Sequence, residues 1–391
     1  MENQQARLKL KPGREKSVQG RHPWVFSGAI ATLEGEAEPG DLLTLVSHRG
    51  EFLAQGFYNP HSQIVMRLIS FRKAELNPDF FRERLRAAIQ FRQNLKLTSN
   101  ALRLVHGEAD GLPGLVVDAY GPFLVLQISC LGMARIKPLL LELLHELLQP
   151  EGMIERSESA GLKEEGLEPV RAVLSGPEAP RTEVFEDAAR FSVDLLAGQK
   201  TGFFIDQRDN RALIGRLAAG KRLLNCFSYT GGFSLHAALK GAQTCSVEIS
   251  EPAQELAREN FRLNGLNPEE HQFVTANVFD YLRQMEPEFD VIVLDPPAFV
   301  KHKSHLKQAT RAYQDINRIA MRQSVADGLL LTCSCSHYLD WELFQKILFS
   351  AATESGRQVQ ILQRLGHPPD HPVSLFHPEG EYLKAFLLRV L

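Results

Sequence analysis

From about residue 186 onward, short apolar runs alternate regularly with helical segments. This rhythm is typical of a parallel sheet that is covered by helices on both faces. The predicted strands are RLLNCF, TCSVEI, QFVTA, DVIVLD and LLLTCS, followed by a closing pair, QVQILQRL and YLKAFLLRV. Ligands of such sheets bind outside the carboxyl ends of the strands. The residues at those ends are therefore the candidates for a functional site.

The first 185 residues predict two further domains. Residues 1–72 contain short alternating runs broken by turns, which predicts a small all-β domain. Residues 73–185 predict a mixed domain, with a helix after Asn77-Pro78, strands around GLVVDAY and FLVLQIS, and a helix in IKPLLLELLHELL. With residues 186–391 as the sheet domain, the chain is predicted to be an α/β protein of three domains.

Composition and charge exclude several classes of protein. Hydrophobic residues make up 44% of the chain and charged residues 23%, as in globular proteins. The amino terminus, MENQQARLKLKPGREK, lacks the apolar core of a signal peptide, and no window approaches the roughly 18 uncharged apolar residues of a membrane span. A cytoplasmic protein without a membrane partner is therefore expected. The net charge of -3 gives no global sign of nucleic-acid binding, so such a sign has to be local.

The five cysteines are an odd and sparse set, which argues against a disulfide framework. The pair in LLTCSCSH has no second Cys or His pair at metal spacing, so no metal is expected. Positions 333 and 335 of a strand face the same way, and Cys335, which is nearer the carboxyl end, should be the one that reaches the site. Cys333 is interpreted as an ordinary buried cysteine.

The ends of the first three sheet strands predict a nucleoside-containing cofactor. The turn NCFSYTGGF leads into a helix through Gly231 and Gly232, where the backbone can approach a ligand closely. Glu248 ends the next strand, where a carboxylate can accept both ribose hydroxyls, and Asn277 follows the third strand, near an adenine amino group. Each feature alone is as readily a tight turn or a solvated strand end. Together, and without a G-x-G-x-x-G loop for a diphosphate, they indicate S-adenosylmethionine.

The last two predicted parallel strands place an acid and a thiol at the same edge. Asp295 ends the strand in FDVIVLDPPAF, and the two prolines after it make the turn rigid. A carboxylate there can hold a flipped base by its hydrogen-bonding edge. A thiolate beside a methyl donor then predicts methylation of a pyrimidine, in which Cys335 adds to C6 and C5 takes the methyl group. The competing interpretation is an inert, buried cysteine.

Seven blocks occur in an order and spacing that match a known family: GREKSVQGRHPWVFSGAI, GEADGLPGL, KTGFFIDQR, NCFSYTGGF, FDVIVLDPPAF, LLTCSCS and EYLKAF. On these blocks the sequence resembles, nearly from end to end, the bacterial 23S ribosomal RNA cytosine-5 methyltransferases of the RlmI type. The resemblance implies an N-terminal PUA domain, a small mixed central domain and a C-terminal, Rossmann-like class I methyltransferase fold that uses S-adenosylmethionine.

The resemblance also implies roles for individual residues. Cys335 falls on the nucleophile of the family, Asp295 on its base-binding acid and Glu248 on its ribose acid. The residues that it implies for the cofactor are Gln207, Phe227, Tyr229, Thr230, Gly231, Gly232, Glu248, Asn277, Asp295 and Pro296. In one departure, this chain has Asp-Pro-Pro-Ala-Phe where the family has Asp-Pro-Pro-Lys-Phe, so Ala298 lacks a cation for a phosphate or base contact.

Two local groups of basic residues predict contacts with RNA. One lies between residues 7 and 21, and the other directly follows the Asp295 turn. Cationic side chains contact phosphates and position RNA without reading its sequence. The predicted RNA-binding residues are Arg14, Lys16, Arg21, Trp24, Lys301 and Lys303. The competing interpretations are a solvated charged face and, for Trp24, a core position. The predicted partner is 23S ribosomal RNA or a large-subunit precursor, and a homodimer is left open.

Other functions remain compatible with the sequence. An N6-adenine or N2-guanine RNA methyltransferase needs no thiol, but it would place an aromatic residue directly after Asp-Pro-Pro, where this chain has Ala298 and then Phe299. An RNA-binding ribosome-assembly factor without catalysis would keep the fold and lose the cofactor. A dinucleotide oxidoreductase is the weakest alternative, because the glycine fingerprint is absent.

Overall fold

The computed structural model describes residues 6–158, 161–198, 201–286, 288–299 and 305–391. The backbone forms two compact units. The first consists of residues 1–184, 193–205 and 369–380, and the second of residues 185–192, 206–368 and 381–391. The division into three domains at residues 72 and 185 stays a prediction. In the described part of the chain, no helix has both the length and the apolar character that crossing a bilayer requires.

The first unit begins with a six-stranded sheet, in which all neighbouring strands are antiparallel except one parallel pair. Its elements are β1 (Arg7–Leu10), α1 (Lys16–Gln19), β2 (Trp24–Phe26), β3 (Ile30–Glu34), β4 (Leu42–Val46), β5 (Phe52–Tyr58) and β6 (Ile64–Ser70). The strand order is β2-β6-β5-β4-β1-β3. The small β domain predicted here is confirmed, but β1 was not predicted. Its buried Leu8 and Leu10 alternate with charged residues, so the basic stretch is also an amphipathic strand.

A five-stranded sheet with four helices follows in the first unit. Its strands, in the order β11-β10-β9-β8-β7, are β7 (Ala101–His106), β8 (Leu115–Tyr120), β9 (Phe123–Ile128), β10 (Gly152–Ser157) and β11 (Val170–Ser175). Its helices are α2 (Pro78–Asn94), α3 (Leu131–Arg135), α4 (Lys137–Leu148) and α5 (Leu162–Glu165). The helix predicted after Asn77-Pro78 is confirmed, and Asn77 caps it by accepting from the backbone N–H of Phe80.

The remaining elements include a two-stranded hairpin, β12 (Arg181–Glu186) and β13 (Ala189–Asp194), and a seven-stranded sheet. The strands of that sheet are β14 (Arg222–Cys226), β15 (Gln243–Glu248), β16 (Gln272–Thr275), β17 (Phe289–Leu294), β18 (Ser324–Ser334), β19 (Val359–Leu365) and β20 (Lys384–Val390). The helices are α6 (Arg208–Leu217), α7 (Gly232–Ala238), α8 (Glu251–Leu263), α9 (Val278–Gln284), α10 (Leu306–Gln323) and α11 (Trp341–Ser355). All seven predicted strands are thereby confirmed.

The order of strands in this sheet is β16-β15-β14-β17-β18-β20-β19. The first five are parallel, and β20 runs antiparallel to both of its neighbours. The chain moves outward from β14 to β16 and then returns to place β17 on the other side of β14. Open α/β sheets bind ligands at such a reversal, beyond the carboxyl ends of the strands. A ligand site is therefore expected at the turns after β14, β15, β17 and β18.

Candidate functional site

The turn between β14 and α7 has an unusual backbone. Phe227, Tyr229 and Gly231 have positive φ angles of 58°, 45° and 78°, in the left-handed region. For a residue other than glycine this conformation costs about 1–2 kcal/mol, and such strain is concentrated at functional sites. Between them, the hydroxyl of Ser228 is buried and has no hydrogen-bond partner among the described residues. A polar ligand bound against this turn would satisfy that hydroxyl.

The two glycines of this turn are explained by packing as well as by ligand approach. A Cβ atom on Gly231 would lie 3.1 Å from the Cβ of Ala257 in α8, and the positive φ angle itself favours glycine. A Cβ atom on Gly232 would lie 2.8 Å from the Cδ of Arg211 in α6. From the sequence, both glycines were interpreted as allowing close ligand approach or a tight turn. The structure adds that α7 needs them to pack against its neighbours.

Glu248 orients the turn from the end of β15. Its Oε2 accepts a hydrogen bond from the backbone N–H of Tyr229 at 3.0 Å. Its Oε1 accepts from the N–H groups of Ile249 at 2.8 Å and Ser250 at 3.1 Å. The side chain is partly exposed. A carboxylate fixed in this way can accept further hydrogen bonds from hydroxyl groups, since its two oxygens offer about four lone-pair sites.

Asn277 lies at the next strand end, after β16, where it caps α9. Its Oδ1 accepts from the backbone N–H of Phe279 at 2.9 Å and from that of Asp280 at 3.4 Å. The predicted contact with an adenine amino group needs an acceptor, and this oxygen already serves the helix. Capping therefore accounts for the residue type, and the adenine contact stays a prediction.

Asp295 follows β17 directly and is held by Gln207. The Oδ1 of Asp295 accepts from Nε2 of Gln207 at 2.9 Å, and Oε1 of Gln207 accepts from Nδ2 of Asn210 at 2.6 Å. Gln207 is only 2% exposed, and Pro296 is buried beside the acid. The structure thus gives Gln207 a role that the sequence did not suggest, the orientation of Asp295. Its predicted contact with a cofactor stays a prediction.

The two cysteines of LLTCSCSH lie in different surroundings. Leu294 pairs with Thr332 across β17 and β18, so Asp295 and Cys333 are the next residues of the two strands. Cys333 is completely buried, and burial together with the charge of Asp295 raises the pKa of its thiol well above the ordinary value. Cys335 follows the end of β18 and is partly exposed. The more accessible thiol is therefore the one that lies past the strand end, and not, as the sequence predicted, within the same strand as Cys333.

Two side chains from distant segments hold the residues on either side of Cys335. The hydroxyl of Tyr313, in α10, lies 3.0 Å from Oγ of Ser334 and 3.1 Å from Oγ of Ser336. Burial raises the pKa of Tyr313 to about 12, so this phenol is neutral at physiological pH. From β20, Nζ of Lys384 donates to the carbonyl oxygen of Ser336 at 3.0 Å. Sequence reasoning missed both residues. In the sequence, the only sign of a role for either residue was that Lys384 interrupts the apolar run YLKAFLLRV.

Phe299, beyond the two prolines, packs among other aromatic rings. Its ring centroid lies 4.7 Å from that of Tyr313, 6.1 Å from that of Phe279 and 6.5 Å from that of Phe227. All four residues pack against the main core of the sheet or belong to it. The ring is therefore engaged by the protein itself.

The predicted RNA-binding cations of the first unit are accessible. Arg14, Lys16 and Arg21 are exposed. None of the three forms an ion pair with another residue in the described part of the chain. The other two predicted cations, Lys301 and Lys303, lie outside the described residues. The structure is therefore compatible with phosphate contacts by the first group.

Trp24 is accounted for by packing. Its side chain is partly buried, and its indole N–H donates to Oε1 of Glu108 at 2.8 Å. The guanidinium of Arg67 lies 5.4 Å from the ring centroid on one side, and the ring of His377 lies 4.5 Å away. Both its polar atom and its ring are thus engaged within the first unit. The core interpretation explains the residue, and its RNA contact stays a prediction without structural support.

A buried carboxylate supports the turn from behind. Glu186 in β12 is 1% exposed, and Arg211 donates to both of its oxygens, at 2.5 Å and 2.8 Å. Nε2 of His236, in α7, lies 3.1 Å from the same carboxylate. Burial raises the pKa of Glu186, but Arg211 and His236 lower it more, so that it falls from 4.5 to about 2. The same arginine packs against Gly232, which ties this ion pair to the geometry of the turn.

Comparisons with known proteins agree with this architecture. Residues 168–389 match a family model described as S-adenosylmethionine-dependent methyltransferase, and residues 8–71 match one described as PUA-like domain. The first match covers more than half of the chain.

Similar proteins extend over nearly the whole chain. Proteins named Ribosomal RNA large subunit methyltransferase I from Erwinia tasmaniensis and Photobacterium profundum are 42% and 44% identical to it, over 98% and 96% of this chain and 99% and 97% of theirs. A solved structure of SMU.776, assigned as a methyltransferase and determined in complex with SAH, superposes with a TM-score of 0.85. It is 24% identical over 98% of this chain and 100% of that one, and so supports the fold.

Potential metal ligands are not grouped. In the described ranges, no three His, Cys, Asp or Glu side chains are arranged to hold a metal ion. None of the five cysteines, all of which the structure describes, forms a disulfide. The polar groups at the strand ends are instead a set of hydrogen-bonding partners for an organic ligand.

Replacing Glu186 by Gln should destabilise the protein in a pH-dependent way. At pH 7 the variant removes the negative charge that Arg211 meets in this buried pair, so we expect the free energy of unfolding to fall by about 3–5 kcal/mol. Because the folded pKa of Glu186 is about 2, its contribution is fully present above pH 4.5 and is lost as the pH falls toward 2. Urea unfolding of both proteins between pH 7 and pH 3 should therefore show a difference that narrows with acid.

Glu259→Gln is the matched control, because Glu259 is exposed on α8 of the same unit. It should change the unfolding midpoint little at any pH. An equal stability of Glu186→Gln and the wild type at pH 7 would contradict the role of this ion pair.

Proposed function

The chain belongs to the family of S-adenosylmethionine-dependent methyltransferases with an N-terminal PUA-like domain, and from this we propose that it methylates C5 of a cytosine in 23S ribosomal RNA. The observation that carries the proposal is the placement of Cys335. It follows β18, partly exposed, at the sheet edge where Asp295 follows β17. The name of the similar proteins, Ribosomal RNA large subunit methyltransferase I, supports ribosomal RNA of the large subunit as the proposed substrate.

The residues of the carboxyl edge fit S-adenosylmethionine. The strained turn at Phe227 and Tyr229 and the buried hydroxyl of Ser228 offer polar groups for the methionine part. Glu248 offers a fixed carboxylate for the ribose diol. The cofactor supplies an electrophilic methyl group. Thr230, Gly231, Gly232, Asn277 and Pro296 complete the proposed contact set.

The chemistry follows from the thiol and the acid. The Cys335 thiolate adds to C6 of the cytosine, and the electron pair of the 5,6 double bond becomes available at C5. C5 then forms a bond to the methyl group as the bond between that methyl group and the sulfonium sulfur breaks, so that S-adenosylhomocysteine leaves. A base removes the proton from C5, the C6–S bond breaks, and the double bond and the thiolate are restored. Asp295, oriented by Gln207, holds the flipped base by its hydrogen-bonding edge.

The position of Phe299 favours this reaction over methylation of a base amino group. Amino methyltransferases use an aromatic residue directly after Asp-Pro-Pro to stack on the base. Here that position is Ala298, and the ring of Phe299 packs on Tyr313, Phe279 and Phe227. An amino methyltransferase would not need a thiol at this edge, so the partly exposed Cys335 also favours methylation of C5.

The first unit is proposed to bind the RNA backbone. Arg14, Lys16 and Arg21 present exposed charges on the PUA-like domain, and cations of this kind contact phosphates in a salt-dependent manner. Lys301 and Lys303 extend the prediction to the segment after Asp295. A cytoplasmic location remains a prediction of the sequence, and the oligomeric state stays open.

Glu248→Gln should weaken binding of S-adenosylmethionine. The amide keeps one acceptor oxygen for the turn but loses the charge that strengthens hydrogen bonds from the ribose, so we expect about a 10- to 100-fold loss of affinity. Isothermal titration calorimetry measures it, with Glu259→Gln as the exposed control that should bind normally. An unchanged affinity in Glu248→Gln would remove this residue from the cofactor site. No binding by the wild type would favour a non-catalytic assembly factor.

A covalent intermediate should be trapped by 5-fluorocytidine. Fluorine at C5 cannot leave as a proton, so incubation with S-adenosylmethionine and substituted 23S RNA fragments should give a protein–RNA adduct that survives a denaturing gel. We expect the adduct in the wild type and in Cys333→Ser, and none in Cys335→Ala.

Loss of methyl incorporation into unsubstituted RNA should accompany loss of the adduct. If Cys335→Ala keeps full methyl transfer and no protein forms an adduct, the amino-group reaction replaces this proposal. An adduct that depends on Cys333 instead would transfer the nucleophilic role to the buried thiol.

Replacing Arg14, Lys16 and Arg21 together by Gln should weaken RNA binding and reduce its salt dependence. Each lost phosphate contact lowers the slope of log affinity against log salt concentration by about 0.7–0.9, so three contacts predict a change of roughly 2–3. Filter binding of a 23S fragment at several salt concentrations measures it.

The matched control replaces Arg216, Lys221 and Lys240, three exposed cations that lie just before the amino ends of β14 and β15. This variant has the same net charge but leaves the PUA-like domain intact, and its slope should stay near that of the wild type. Equal slopes for both variants would show a general charge effect and contradict a specific contact.

A further inference from the structure

Lys384 is a buried lysine in a strand of otherwise apolar residues. It lies at the start of β20, opposite Ser334 of β18, and is 2% exposed. Its ammonium donates to the carbonyl oxygen of Ser336 at 3.0 Å. Lys384 therefore pairs with Ser334 and donates to Ser336, and Cys335 is the residue between these two. The lysine follows the buried Leu383 and precedes the buried Ala385, so an apolar side chain would suit the strand better.

The charge of Lys384 is poorly offset by carboxylates. An ammonium carries three donors and no acceptor, and within the described ranges Lys384 makes one hydrogen bond and no ion pair. The acids that influence it are Glu381 and Asp340, both exposed. Glu381 accepts instead from the indole N–H of Trp341 at 2.9 Å, and Asp340 caps α11. A buried cation of this kind requires a compensating charge nearby.

Cys335 is the third group that acts on Lys384 and can supply this charge. Burial lowers the pKa of Lys384, whereas Glu381 and then a negative charge on Cys335 raise it. An interaction is reciprocal, so the ammonium that a thiolate stabilises also stabilises that thiolate. Two ionisable neighbours of Cys335, Tyr313 and Cys333, are kept neutral by burial.

We propose that Lys384 is a positioning residue for Cys335, whose buried ammonium fixes the turn through the Ser336 carbonyl and stabilises the Cys335 thiolate. The thiol proton passes to solvent, to which the cysteine is partly open, before RNA arrives. The proposal rests on the nucleophilic role of Cys335 in the proposed function, because a thiolate is the attacking form. Lys384 itself acts through the cysteine and need not touch the base.

The test measures the ionisation of Cys335 directly, without cofactor or RNA. Full-length protein is alkylated with iodoacetamide at pH 5–10, and the rate at Cys335 is followed by peptide mass spectrometry. The informative variant is Lys384→Gln, because the amide can still donate to the Ser336 carbonyl but carries no charge. We expect its alkylation midpoint to rise by about one pH unit or more, with about tenfold slower alkylation at neutral pH.

Two further variants separate charge from fold. Lys384→Arg keeps the positive charge and should keep a midpoint close to that of the wild type. Lys346→Gln removes a charge from the exposed face of α11, where the lysine is 69% exposed, and should have no effect. Should Lys384→Gln not fold, as judged by circular dichroism, Lys384→Met takes its place with the same expected shift.

Several outcomes would overturn the proposal. A folded Lys384→Gln or Lys384→Met with the wild-type midpoint would show that the lysine is structural only. A midpoint raised equally in Lys384→Arg would show that shape, and not charge, matters.

Failure of the proposed function would appear differently. In that case Cys335→Ala would still transfer methyl groups and no 5-fluorocytidine adduct would form, whatever the alkylation midpoints show. A normal adduct together with an unshifted midpoint would reject only the role of Lys384.

Discussion

The parallel pairing of β14, β17 and β18 is the constraint on which the candidate site depends. The register places Cys226 opposite Leu294 and Leu294 opposite Thr332, so the three strands end almost level. A shift by one residue would turn every side chain of a strand to the other face. Asp295 and Cys335 follow β17 and β18 at the same edge because buried apolar residues on both faces of the sheet fix this register.

Strain at the carboxyl edge is offset by neighbouring polar contacts. The left-handed conformations of Phe227 and Tyr229 are unfavourable by themselves, yet the N–H of Tyr229 is bound by Glu248 and Gly231 lets α7 approach α8. Behind the turn, the buried pair of Glu186 and Arg211 limits how far it can relax. A rigid turn that carries the buried hydroxyl of Ser228, which has no partner among the described residues, is a suitable site for a polar ligand, because little has to move when the ligand binds.

The sequence predicted the main features of the fold and the identities of the exposed groups, because both depend on local patterns. The strand rhythm, the Asn77 cap and the positions of Asp295 and Cys335 at strand ends can be read from neighbouring residues alone. The partners of those groups could not be read in this way. Gln207 meets Asp295 from 88 residues away, and Lys384 meets Ser336 from 48 residues away. Such contacts depend on tertiary packing, which a single sequence does not reveal.

Trp24 shows that composition alone leaves two interpretations of a residue open. An aromatic residue beside Arg21 in a basic stretch has the composition of an RNA-binding surface, and only its contacts with Glu108 and His377 reveal a packing role.

The contrast between Cys333 and Cys335 shows how position selects chemistry. Both residues are cysteines of one apolar segment, two positions apart, so intrinsic reactivity does not distinguish them. Complete burial next to Asp295 raises the pKa of Cys333 and keeps its thiol neutral. Past the strand end, Cys335 gains partial access to solvent, and its neighbours Ser334 and Ser336 are held by Tyr313 and Lys384. A nucleophile has to be both accessible and ionised, and the buried ammonium of Lys384 donates to the residue that follows Cys335.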